Sequence, residues 1–206
     1  SRDHMAPLGA RVADGGQYTW INVNYASTRG GIDRHAATLA SVVAGLEGID
    51  EIHFICHSLG NLVVRRYLFE ATMAEPRWQT DPRIHRMVML GPPNQGAQAA
   101  KLIADILHES PLARLIAGPT AWQLARHWDE AEKQLATPQF EFGILAGGFA
   151  DDRGLNPLLP GDDDLVVRVA ETHLAGAADF RLVPCRHGRM MRDPVIQQQA
   201  LHFLKR

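Results

Sequence analysis

The stretch Cys56-His57-Ser58-Leu59-Gly60 combines residue types and spacing that can do chemistry. A short apolar run at residues 51–56 leads into it, and a helical pattern from Leu59 to about Met73 leads out. A serine on so sharp a strand-to-helix turn has its Oγ lifted clear of the sheet, provided the flanking residues are small. The helix N-terminus beside it favours negative charge. The backbone N–H of Leu59 points where an oxyanion would form. Cys56 stands where the usual G-x-S-x-G pattern has glycine. The plain alternative for Ser58 is an ordinary helix-capping serine, but such a string seldom falls between strand and helix by chance. Cys56 closes a buried strand one residue short of the turn. His57, on so tight a turn, points away from Ser58 and is a packed or half-exposed neighbour rather than a base.

A hydroxyl is a weak nucleophile at neutral pH and needs a base that is itself oriented by a carboxylate. Among the 10 histidines, His187 follows the last apolar run on a loop and fits the base. His173, one turn beyond the acidic loop, is its rival. His4, His35, His108 and His127 read as solvated surface, His53 faces a strand interior, His85 opens a strand, and His202 sits on the final helix. The acid comes from Asp162-Asp163-Asp164. Asp164 is favoured because it directly precedes the apolar Leu165-Val166-Val167, with Asp163 the alternative and at least one of the three a solvated acidic turn. A calcium site on Asp151, Asp152 and Asp162 fits no EF-hand spacing.

Short apolar runs alternating with helical patterns must position these groups. Strands are expected at residues 19–25, 51–56, 87–90, 140–146 and 178–183. Helices are expected at 32–46, 59–73 and 194–204, and a helical stretch broken at Pro111 and Pro119 runs over 97–135. That order implies α/β architecture, a mostly parallel sheet with helices on both faces. Residues 1–206 form one domain, with 97–135 a cap-like insertion and 149–160 a loop.

The net charge of −2, without a basic stripe, speaks against nucleic acid or an anionic membrane as partner. The longest apolar runs are too short to span a bilayer, so no integral membrane association is expected. The 2 cysteines, Cys56 and Cys185, make no disulfide framework and no zinc-type spacing. The chain opens on Ser1, which hides any targeting segment. A soluble, cytoplasmic protein is the default expectation, and oligomeric state is not legible.

The chain resembles the bacterial lipase/esterase branch of the α/β-hydrolase superfamily. The likeness rests on residues 23–29 (VNYASTR), the HSLGN turn at 57–61, residues 89–96 (MLGPPNQG), residues 155–161 (LNPLLPG) and the stretch from His187 to Pro194. It runs from about residue 18 to the C-terminus. The resemblance implies an α/β-hydrolase fold and a Ser58–Asp164–His187 triad, with Asp164-Leu165-Val166-Val167 matching a D-G-x-V stretch that has glycine where Leu165 stands. It implies a small-molecule or lipid-like ester substrate and needs no cofactor and no metal. Acyl transfer, thioester hydrolysis or non-catalytic ligand binding are the alternatives. Family members begin with a strand ending in His-Gly whose next residue gives a second oxyanion N–H. That donor and the first strands are expected upstream of Ser1, which leaves Leu59 as the one named donor.

Overall fold

β-Branched, aromatic and methionine residues in runs of five to seven make the sheet. The computed structural model describes residues 4–14, 16–24, 30–73, 80–96 and 127–206. In chain order they form α1 (Ala6–Ala13), α2 (Ile32–Ala44), β1 (Ile52–His57), α3 (Leu59–Met73), β2 (Ile84–Leu90), α4 (Trp128–Glu132), β3 (Glu141–Gly147), α5 (Val169–Thr172), β4 (Asp179–Val183), a 3-10 turn (His187–Arg192) and α6 (Pro194–Leu204). The four strands are all parallel and lie in the order β1-β2-β3-β4.

Successive residues of β2 show why the sheet needs helices on both faces. Met87 and Met89 enter the core shared with α2 and α3, beside Leu39, Val43, Leu62 and Phe142. Val88 and Leu90 enter the opposite core, with Leu8 and Val12 of α1 and Ile196 and Phe203 of α6. A strand buried on both faces reads as an unbroken apolar run. Each such side chain withdrawn from water stabilises the fold by about 1.5–3 kcal/mol. α6 begins sharply because the Asp193 side chain accepts from the N–H groups of Val195 (2.9 Å) and Ile196 (3.1 Å), with Pro194 in the first turn. That is a helix N-cap with proline where its missing N–H costs nothing.

One expectation changes. The segment expected as a strand at 19–25 is not one over its described part, 19–24. A strand needs a ladder partner, and among the described residues β1, at the edge of the four-stranded sheet, is paired with β2 alone. The segment packs through side chains instead: the Trp20 ring lies against Gly9, and Tyr18 donates from its hydroxyl to the Leu204 carbonyl (3.1 Å). α1, which the sequence did not suggest, has Pro7 in its first turn and Gly9 where the indole needs room. The cap-like insertion expected at 97–135 lies outside the described residues up to 126, and α4 is the helix seen in its remainder. No helix among the described residues is long and apolar enough to cross a membrane.

Cys56 lies near the end of β1 and Cys185 follows β4, three strand positions away, which is about 14 Å at ~4.8 Å per neighbour. Both are free thiols, and Cys185, expected on an accessible loop, is buried. Burial pushes the Cys56 thiol up to about 12. It also raises Cys185 to about 11, with Asp193 and Asp164 adding to the shift. Neither should react with an aromatic disulfide reagent in the native state at pH 8, and both should react in denaturant. A native thiol that titrates within seconds would contradict this burial.

Candidate active site

One residue, Ser58, separates β1 from α3, and it takes the left-handed conformation with φ 53°. That costs an L-residue about 1–2 kcal/mol, so the turn must be held. The Ser58 N–H donates to the Leu90 carbonyl of β2 at 2.9 Å. The Ser58 carbonyl accepts from the Asn61 backbone N–H (3.1 Å) and from its side-chain Nδ2 (2.9 Å). Asn61 is fully buried, and Nδ2 also reaches Leu90 O at 3.4 Å. Leu59 opens the 15-residue α3. Its N–H, in the first turn, has no acceptor within the helix.

Asp164 and His187 meet on loops beyond β3 and β4. The imidazole Nδ1 lies 2.7 Å from Asp164 Oδ2. A carboxylate only accepts, so Nδ1 carries a proton, and in the neutral ring that leaves the lone pair on Nε2. The other carboxylate oxygen, Oδ1, accepts from the N–H groups of Val166 (3.0 Å) and Val167 (2.8 Å). The main chains are also joined, with His187 N–H donating to the Asp164 carbonyl at 2.9 Å. Asp164 is fully buried and the His187 side chain is about 10% exposed.

Glycines bring the serine turn and the Asp–His pair together. A Cβ on Gly91, just past β2, would come within 3.1 Å of His187 Nδ1 and 3.2 Å of Asp164 Oδ2. A Cβ on Gly147 would crowd Asp164 Cβ at 2.8 Å. Ser58 is tied to Leu90, the residue before Gly91. All three predicted residues therefore gather at the carboxyl end of β2.

Solved structures that match this architecture include lipases, esterases and other hydrolases. Phospholipase PlaB from Legionella pneumophila matches with a TM-score of 0.65 and 16% identity, over 99% of this chain and 56% of that one. The mature form of a Bacillus licheniformis lipase matches at 0.56 and 14%, over 85% and 74%. A metagenomic carboxyl esterase matches at 0.54 and 18%, over 86% and 63%. The chain has the α/β-hydrolase fold. It spans between 56% and 74% of the length of these three neighbours. No protein-family model and no curated protein sequence matches it.

Within the α/β-hydrolase frame the three aspartates have separate duties, and the solvated acidic turn expected for at least one of them is absent. Asp162 accepts from Phe149 N–H (2.8 and 3.0 Å) and Ala150 N–H (2.8 Å), holding the left-handed Ala150 at φ 57°. Asp163 is fully buried and accepts from Leu165 N–H (2.7 Å) and Asn156 N–H (3.1 Å). Asp151 accepts from the N–H groups of Arg153 and Gly154. The oxygens a calcium ion would need on Asp151 and Asp162 already serve backbone amides.

Histidines were the least legible group. His57 donates from Nε2 to the His187 carbonyl (3.1 Å), with ring centroids 4.5 Å apart. Its Nδ1 accepts from His4 Nε2 at 3.3 Å. Burial, then the nearby His187 and His4, hold the His57 pKa well below the usual value, so this ring is neutral. His4 and His35, expected as solvated surface, are half-buried and buried respectively. His173, the rival base, stacks on Phe180 at 4.2 Å. His108 lies outside the described residues.

The sequence also gave no hint of Arg65. Buried on α3, it donates to the Ala136 carbonyl (3.0 Å) and to both the carbonyl and Oδ1 of Asn94 (3.2 Å each), while Asn94 Nδ2 donates to Thr172 O at 2.9 Å. Burial lowers the guanidinium pKa to about 10. This network fixes the Gly91–Gly96 loop beside the site.

Leu165 sits at φ 91°, a conformation glycine adopts freely and leucine does not. Its side chain is 40% exposed, so little packing offsets the strain. Leu165→Gly is expected to raise stability by about 1 kcal/mol, from strain of about 1–3 kcal/mol less the glycine entropy cost. A calorimetric Tm several degrees lower than wild type would show that the leucine side chain matters instead. Asp162→Ala, in contrast, should cost about 1–2 kcal/mol through loss of its charged hydrogen bonds, read in the same scans.

Proposed function

We propose that the chain is a serine hydrolase that cleaves carboxylic esters through an acyl-enzyme, with Ser58 as nucleophile, His187 as base and Asp164 as the orienting acid. The observation that carries this reading is the 2.7 Å Asp164–His187 hydrogen bond, packed on Gly91 next to the residue that holds the Ser58 turn. His187 Nε2 takes the Ser58 proton as Oγ attacks the ester carbonyl. The tetrahedral oxyanion draws on the Leu59 N–H at the N-terminus of α3. His187 then protonates the departing alcohol, and the same nitrogen activates the water that releases the acid. Asp164 keeps the imidazole in the productive tautomer and stabilises the imidazolium. No cofactor enters this scheme. The substrate is a small or lipid-like ester, and the lipase, phospholipase and esterase neighbours support that class.

A fluorophosphonate probe should label the peptide bearing Ser58. Ser58→Ala should abolish p-nitrophenyl ester hydrolysis, and retention of more than about a tenth of kcat would remove Ser58 as nucleophile, since triad losses are usually several decades. Asp164→Asn should lower kcat by about 10⁴-fold with the fold intact. A comparable kcat loss in folded Asp163→Asn, with little at Asp164, would move the acid by one residue.

A further inference from the structure

The amino end of the sheet, remote from Ser58, carries a cluster of side chains that ester cleavage does not use. Glu51 precedes β1, His53 lies in β1 and His85 in β2. The ladder slips between them: Ile52 pairs with Ile84 and His53 with Arg86, so His85 is an extra residue with no partner across. Bulges of this kind bend the strand and re-aim a side chain. Here the His85 ring comes to 5.6 Å from the His53 ring. Glu51 and His53, two apart on extended chain, share a face. Glu51 Oε2 lies 3.3 Å from His53 Nε2 and 3.4 Å from His85 Nδ1, and the three atoms are all within 4.8 Å of one another.

Zinc bonds of about 2.0–2.2 Å at tetrahedral angles put neighbouring ligand atoms about 3.3–3.5 Å apart. Two edges of the triangle already have that length. The third closes by rotation of His85, whose side chain is about half exposed. We propose that Glu51, His53 and His85 form a site for a divalent transition metal, Zn²⁺, with a fourth position left to water. Two imidazoles and one carboxylate suit zinc and not calcium or magnesium, which prefer all-oxygen shells.

An ordinary pair of salt bridges needs protonated rings. The His53 side chain is about 9% exposed, and burial disfavours a charged ring. A neutral ring offers a lone pair instead. Two features weaken the site. The Arg86 guanidinium, committed to Glu141 at 2.9 Å, also brings Nη1 within 3.4 Å of His85 Nδ1. His53 Nδ1 is buried with no hydrogen-bond partner among the described residues, so it lacks the outer-shell acceptor that strengthens a ligating histidine. Micromolar affinity follows, not nanomolar. An entry path exists, because all three residues line a groove of about 1010 Å³ along β1. Bound zinc would join β1 to β2 at the bulge and stabilise the sheet.

The test uses tag-free protein stripped with EDTA and titrated with ZnCl₂ by calorimetry. One Zn²⁺ per chain with micromolar Kd is expected, and a Tm rise of several degrees at saturating zinc. His85→Ala and Glu51→Gln, each checked for an unchanged far-UV spectrum, should weaken binding at least tenfold, whereas His173→Ala should leave it as it was. Absence of zinc binding, or affinities within threefold of wild type in both variants, would overturn the site. Ester hydrolysis is not the readout, so the outcome stands apart from the role given to Ser58.

Discussion

The left-handed backbone at Ser58 is the constraint on which the rest of the site depends. An L-residue stays in that conformation only where its surroundings over-determine it. Here β2 supplies the Leu90 carbonyl, α3 supplies the fully buried Asn61, and the helix starts at the very next residue. The strain has a geometric return, since it turns the chain from strand to helix within one residue and leaves the serine at the sheet's edge.

Parallel pairing does the remaining work of assembly. Because β1 to β4 all run the same way, every strand ends at one edge, and every loop that follows a strand opens there. Open α/β sheets place their sites outside the carboxyl ends of the strands for this reason. Asp164 and His187 meet from the segments beyond β3 and β4; the Val166 and Val167 N–H groups cradle the Asp164 carboxylate, and the Asp162 side chain holds the 149–150 turn. Gly91 and Gly147 leave room for the pair where any side chain would push it away.

Much of this was legible. The helices at 59–73 and 194–204 agree with their observed bounds, because apolar spacing and the Asp193-Pro194 start are local signals. Asp164 stood out by the apolar residues after it, and Leu165 by occupying a position where the resemblance has glycine, which its φ of 91° explains. What failed was long-range. Residues 19–24 have the alternation of a strand, but a strand exists only with a partner. At least one of Asp162, Asp163 and Asp164 read as a solvated turn, because the Phe149, Ala150 and Asn156 amides that Asp162 and Asp163 accept from lie several residues upstream. His4 and His35 looked like surface, and Arg65 went unremarked, because burial is set by whatever packs above a residue. The slip that turns His85 toward His53 belongs to the pairing of two strands, and neither strand alone contains it.

The same parallel order imposes a schedule on biosynthesis. His57 and His187, whose tilted rings pack together beside the serine turn, are separated by 130 residues. At a ribosomal pace of about 5–20 residues per second, that interval lasts on the order of ten seconds. Within it β1 and β2 are made before β3, and until its end Val88 and Leu90 lack α6, which closes their face. Contacts so distant along the chain also fold slowly. A nascent chain thus carries its serine long before the Asp164–His187 pair exists, and for that window its apolar sheet face waits for the helix that covers it.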